Sequence, residues 1–144
     1  MAQAEVLRLK TRSQFQAVLR EGSVVGRSTH FALHRLDLPL AASDAPALFA
    51  TRDAWIGAMV PKRWARRAVT RNLIKRQIYA VSQQHEPCFE QAAHVLRLRG
   101  SFDRAKFPSA ASATLRMAVH DELQGLLAKL KRAPGVSAGT PENR

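Results

Sequence analysis

Between Asp53 and Glu86 the chain carries no acidic residue, yet that window holds Lys62, Arg63, Arg66, Arg67, Arg71, Lys75 and Arg76. The spacing predicts a helix from about Arg66 to Gln83, because Val69, Leu73, Ile74 and Ile78 fall on one side of a 100°-per-residue wheel. The other side carries the row Arg67, Arg71, Lys75 and, beside it, the row Ala68, Asn72, Arg76. One face is therefore built to pack on a sheet, and the other to meet solvent or a partner. Like charges four residues apart each cost about 0.2–0.5 kcal/mol in an isolated helix. Repeating that cost with no acid nearby points to an anionic partner. The guanidinium fork suits two-point contact with phosphate. Asn72 among the arginines adds a side chain that reads an exposed base edge or a 2′-hydroxyl. A merely solvated face is the blander reading, and it is weakened because the run is one-signed and mostly Arg.

The rest of the chain agrees. Twenty-three Lys and Arg against eleven Asp and Glu give a formal net charge of +12. Such a surplus raises affinity for polyanions and is a poor route to solubility alone. At 144 residues, 46% hydrophobic and 24% charged, the composition is that of one globular domain. The lone Cys88 excludes an internal disulfide and a multi-cysteine zinc site, which suits a reducing cytoplasm. No apolar run approaches the ~18 residues of a membrane span. The opening residues lack the apolar stretch of a signal peptide. A soluble, cytoplasmic protein with no membrane partner is expected.

Along the chain, Thr11 or Ser13 caps a helix from about Arg12 to Arg20, with Phe15, Val18 and Leu19 on one stripe. Gly22 and Gly26 interrupt it. His30–Leu38 alternates with the period of a strand, and Ala47–Thr51, Trp55–Val60 and Ala93–Leu98 read as three more. Ser109 or Ser112 starts the last helix, whose Leu115, Val119, Leu123, Leu126, Leu127 and Leu130 share a stripe. The order α-β-β-β-α-β-α implies an α+β domain, a two-layer sandwich with a sheet of about four strands. One RNA-binding domain over 1–132 and a disordered tail over 133–144 are expected.

Enzyme chemistry within the protein finds no support. His30, His34, His85, His94 and His120 lack a metal-binding spacing, no paired carboxylates stand out, and there is no phosphate-cradling glycine loop. The expectation is no catalytic residue and no metal ligand in the protein itself. A ribosomal protein or RNA chaperone fits the same charge. A self-sufficient nuclease or transferase with dispersed acids is the other alternative.

The stretch from Lys62 to Arg76, KRWARRAVTRNLIKR, resembles the signature of the bacterial ribonuclease P protein component, K-K-x-x-R-R-A-x-x-R-N-R-I-K-R. Lys62, Arg66, Arg67, Ala68, Arg71, Asn72, Ile74, Lys75 and Arg76 match, and Arg63 is a conservative exchange. The likeness reaches an N-terminal pattern at Leu9, Phe15, Val18 and Gly22, and the strand-to-glycine segment Val95–Gly100. It departs at Leu73, where the family usually has Arg, and near Tyr79, often basic. Leu19 and His34 stand where aromatics are common.

The resemblance implies a fold like a domain of elongation factor G, with a left-handed βαβ crossover that general handedness rules would not suggest. It implies a protein that binds a large catalytic RNA, about one protein per RNA, and assists removal of the 5′ leader of precursor tRNA. Mg²⁺ is held mainly by the RNA. Lys62, Arg63, Arg66, Arg67, Arg71, Asn72, Lys75 and Arg76 map onto the RNA-binding surface. Phe15, Val18, Phe31 and Leu33 map to a leader-binding cleft between the sheet and the first helix, with Arg8, Lys10 and Arg12 at its edge.

Overall fold

The computed structural model describes residues 6–38, 49, 54–85, 89, 92–103, 106–107, 109 and 112–137, with side chains described as far as Leu130. In chain order these form β1 (Leu7–Arg8), α1 (Arg12–Glu21), β2 (Ser23–Arg27), β3 (Phe31–Asp37), β4 (Trp55–Met59), α2 (Ala68–Gln84), β5 (Ala92–Leu98) and α3 (Ala113–Ser137). The strands make one mixed sheet in the order β1-β4-β5-β3-β2. β5 lies at its centre, parallel to β4 and antiparallel to β3, with Phe31 opposite Leu98 and Asp37 opposite Ala92. β4, α2 and β5 form a βαβ unit.

Alternation along the strands divides the core in two. Phe31, Leu33, Ile56, Ala58, Leu96 and Leu98 point to the side where Ile74, Ile78 and Val81 of α2 meet Leu115, Val119, Leu123 and Leu127 of α3. Trp55, Ala93, Val95 and Leu36 point to the other side, where α1 lays down Val18 and, half-buried, Phe15. Gly57 sets this second contact: a Cβ there would lie 2.6 Å from Phe15 Cζ, so only a glycine lets the ring rest on β4.

The α1 start is closed by its own side chains. Thr11 Oγ1 accepts from Gln14 N at 3.2 Å, and Gln14 Oε1 accepts from Thr11 N at 3.0 Å, a reciprocal capping box. α3 begins as expected from Ser112, whose hydroxyl accepts from Leu115 N at 3.0 Å. Glu122 on α3 clasps the turn between β2 and β3. It accepts from His30 N at 2.6 Å and Ser28 Oγ at 2.5 Å, and faces His30 Nδ1 at 2.7 Å.

The α+β class holds, with differences in detail. The sheet has five strands rather than about four, because β1 and β2 extend its edges. Helices cover both faces, giving three layers rather than two. β2 was obscured by a register shift between Val24 and Gly26 that breaks its alternation. The expected strand at Ala47–Thr51 lies outside the described residues except for Phe49, which is buried against Trp55. α3 continues to Ser137, past the boundary expected at residue 132, and 138–144 lie outside the described residues.

Candidate nucleic-acid interface

Pro61 ends the β4 segment and opens a tight turn, with Trp64 N and Ala65 N both donating to Pro61 O at 3.1 Å. The turn presents Lys62 and Arg63 to solvent, and Arg66 and Arg67 follow, also exposed. α2 then buries Leu73, Ile74, Ile78 and Val81 and exposes Asn72, Lys75 and Arg76. Among the described residues none of these cations has a carboxylate partner; the ion pairs are His30–Glu122 and Arg35–Asp37, elsewhere in the fold. The helix start carries no acid in its first turn, and Arg67 at its N-cap makes no side-chain capping bond. Positive side chains thus crowd the positive end of a helix dipole, an arrangement an anion relieves.

Arg71 departs from this pattern. Its Nη1 donates to Ala65 O at 3.0 Å and to Arg66 O at 2.8 Å, so the guanidinium ties the turn to the helix. Within the row Arg67, Arg71, Lys75, the middle member holds the scaffold that displays the other two. Leu73 is 8% exposed and belongs to the core, so no polar contact is made from that position. Val69, expected on the packed side, is 50% exposed and stands on the cationic face instead.

Arg8 joins this surface as well. Its guanidinium carbon lies 4.0 Å from the centre of the Tyr79 ring, a cation–π contact across β1 and α2. The Tyr79 hydroxyl accepts from Ala58 N at 3.2 Å, which holds the ring in place. Arg8 was expected at the edge of the cleft beside α1; odd and even positions of β1 face opposite ways, and Arg8 is carried to the α2 side. Lys10 and Arg12 remain exposed at the α1 start.

The α1 side of the sheet holds a second polar surface. α1 covers only part of this face. On the same face stand His34 on β3, Arg97 on β5 and, opposite Ala32, Arg27 on β2. Arg97 Nε donates to His34 Nε2 at 3.2 Å. Burial, then Arg97 and Arg27, lower the His34 pKa from its ordinary value, so the imidazole serves as a neutral acceptor and the arginines supply the charge. Phe15 and Leu19 of α1 are half-buried on this side.

Three residues expected in the cleft are core residues. Phe31 and Leu33 are 0% exposed and lie on the opposite face, under α2 and α3. Val18 is also 0% exposed, sealed between α1 and the sheet. Alternation separates Phe31 and Leu33 from Ala32 and His34 but does not say which set faces α1. His34, Arg97 and Arg27 went unrecognised as a group because their proximity depends on strand pairing across sequence distance. The alternation of β3 was the available signal.

A mixed sheet bearing an uncompensated cationic helix on one side defines a small, basic α+β protein with a surface for polyanions. The family model for Ribonuclease P matches residues 4–127. The chain belongs to that family. The Ribonuclease P protein component of Burkholderia pseudomallei is 40% identical over 81 residues, covering 56% of this chain and 60% of that protein. The component from Trichormus variabilis is 40% identical over 97 residues, covering 60% of this chain and 69% of the relative. Among solved structures, the RNase P protein of Staphylococcus aureus superposes with a TM-score of 0.62 at 20% identity, covering 88% of this chain and 97% of that one. That of Thermotoga maritima gives 0.57 at 17% identity, covering 87% and 96%. These structural likenesses establish the fold. Among the described residues, no helix is long and apolar enough to cross a membrane.

Proposed function

We propose that this chain is the protein subunit of ribonuclease P, an RNA–protein endonuclease of the cytoplasm whose active site lies in the RNA. In this reading α2 and the preceding turn bind the catalytic RNA, about one protein per RNA. The α1 side of the sheet receives the single-stranded 5′ leader of precursor tRNA, and the complex removes that leader with Mg²⁺. The observation that carries the reading is the exposed, acid-free cation set Lys62, Arg63, Arg66, Arg67, Lys75 and Arg76 around an uncapped helix start. Arginine forks and the first-turn N–H groups neutralise phosphates that converge there, and Asn72 adds a hydrogen-bonding group.

On the other face Arg27 and Arg97 attract leader phosphates, while half-buried Phe15 offers a ring edge to a base. In this reading Mg²⁺ is held mainly by the RNA. The protein's part is to tighten and orient the substrate.

Reconstitution tests the reading. Full-length protein, the cognate RNA and Mg²⁺ together should mature precursor tRNA at the leader junction, and RNA-free protein should cleave nothing. Leader cleavage by the protein alone would place the chemistry in the wrong subunit. Co-purification of ribosomal RNA in place of one defined RNA would favour a ribosomal protein or chaperone instead. Arg97→Ala should weaken binding of leader-bearing substrate while leaving assembly with the RNA subunit intact.

A further inference from the structure

The turn that displays the arginines also walls a pocket that the surface reading leaves unused. A cavity of about 310 Å³ opens between this turn and the segment after β5, lined by Arg63, Arg66 and Arg67 and by the aromatic side chains of Trp64, Phe102 and Phe107. Its size is near the bottom of the ~300–1,000 Å³ range of small-molecule pockets, enough for one compact ligand and too small for a stretch of chain. Phe102 is fixed from two directions, stacked on His30 with centroids 3.8 Å apart and edge-on to Phe107 at 5.8 Å. These contacts hold Phe102 against its neighbours on both sides. Trp64 contributes its ring to the wall, its Nε1 being buried and, among the described residues, without a hydrogen-bond partner. The Arg63 guanidinium carbon lies 5.2 Å from the centre of the Trp64 ring, within cation–π range.

Apolar aromatic walls and a cationic rim together specify a ligand that is planar and bears an anion. We infer that this pocket receives a single nucleotide turned out of an RNA strand, its base against the aromatic wall and its phosphate among Arg63, Arg66 and Arg67. The inference rests on the ribonuclease P reading above and adds to it a second mode of contact. The outer cations hold the strand by charge, and the pocket fixes one position along it. The captured nucleotide belongs either to the catalytic RNA or to precursor tRNA, and the chemistry of recognition is the same for both.

The chain has two tryptophans, and they lie on opposite sides of the sheet, which makes the test direct. ¹⁵N-labelled full-length protein is titrated with AMP, adenosine and inorganic phosphate while both indole N–H signals are followed. AMP should produce a saturable shift at Trp64 and none at Trp55, and should act at lower concentration than adenosine or phosphate. Phe107→Ala should raise the AMP midpoint about tenfold, the size of one lost base–aromatic stack. A silent Trp64, or a response to phosphate equal to that of AMP, would overturn the assignment. In a Trp55→Phe background, Trp64 fluorescence should be quenched either when the RNA subunit is added or only when precursor tRNA follows, which identifies the donor strand. Quenching at neither step refutes the pocket. Cleavage by the reconstituted complex is measured alongside. Loss of cleavage condemns the functional reading, whereas normal cleavage with an unresponsive Trp64 condemns the pocket alone.

Discussion

The starts of α1 and α2 answer the same physical problem in opposite ways. A helix N-terminus leaves donor groups unsatisfied and a partial positive charge exposed. α1 meets this internally, with Thr11 and Gln14 closing a reciprocal box. α2 has no side-chain cap, no acid in its first turn, and arginines clustered around it. Where the chain needs only itself, it follows the rules of helix stability. Where the proposed function has it face a partner, it departs from them, and under that reading the departures mark the functional surface.

The sharpest break of this contrast is ionic strength. If about six cations around α2 neutralise phosphates, binding to the RNA subunit should show a log–log salt slope on the order of −4 to −5. That corresponds to a loss of ~300- to 1,000-fold between 50 and 200 mM salt. Arg66→Gln with Arg67→Gln should flatten the slope by about one and a half units and, by relieving the helix dipole, raise the stability of the free protein by ~0.5–1 kcal/mol. A slope near zero would reduce the α2 surface to a solvated face.

Next in size is the seat of α1. Gly57→Val forces a side chain into the space of Phe15 and should cost about 3 kcal/mol in denaturant unfolding. At temperatures where the variant stays folded, assembly with the RNA subunit should survive while discrimination for leader-bearing substrate declines. Equal loss of both would mean that the two faces do not act separately.

The scaffold shared by both surfaces has its own signature. His94 lies inside the sheet–helix core, where burial first and Arg35 second push its pKa down to about 3 from 6.5. The unfolded chain therefore takes up the proton first. This contribution is complete above pH 6.5 and is lost, at up to about 1.4 kcal/mol per pH unit, as pH falls toward 3. Between pH 7 and 5 the unfolding free energy should drop by about 2 kcal/mol, and His94→Gln should remove most of that slope. An unchanged pH profile in the variant would assign the loss to other groups.

The smallest effect isolates α1 itself. Thr11→Ala removes the cap and should cost about 1 kcal/mol in thermal or urea unfolding while leaving the salt slope untouched. A change in salt slope would join α1 to the surface that meets the RNA subunit.

Much of this arrangement was legible in the residues. The α2 periodicity is local and spacing reports it, while the caps at Thr11 and Ser112 were each one of two candidates that spacing offered. β1, two residues long, leaves no alternation to see, and the register shift in β2 hides what there is. The face of β3 that meets α1 depends on how α1 crosses the sheet, so Phe31 and Leu33 were expected in a cleft and lie in the core. Arg71 looked like its neighbours in the basic row. Its bonds to Ala65 and Arg66 exist only once the turn after Pro61 has closed.

The central place of β5 has a consequence for how the molecule comes into being. During synthesis, β1 and β4 can pair with each other, as can β2 and β3, before Ala92–Leu98 has been made. The two half-sheets share no strand-to-strand bonds until β5 enters between them, and contacts so distant along the chain are slow to form. Until then α2, already complete, has only part of a floor to pack on, while its arginines are fully displayed. Insertion of one late strand therefore joins the sheet beneath both surfaces at once, and α3, made last, closes the core on the α2 side. The nascent chain has its charge before it has its shape, so under the proposed function its early encounters with RNA are electrostatic and unselective. Selectivity begins when the last strand is in place.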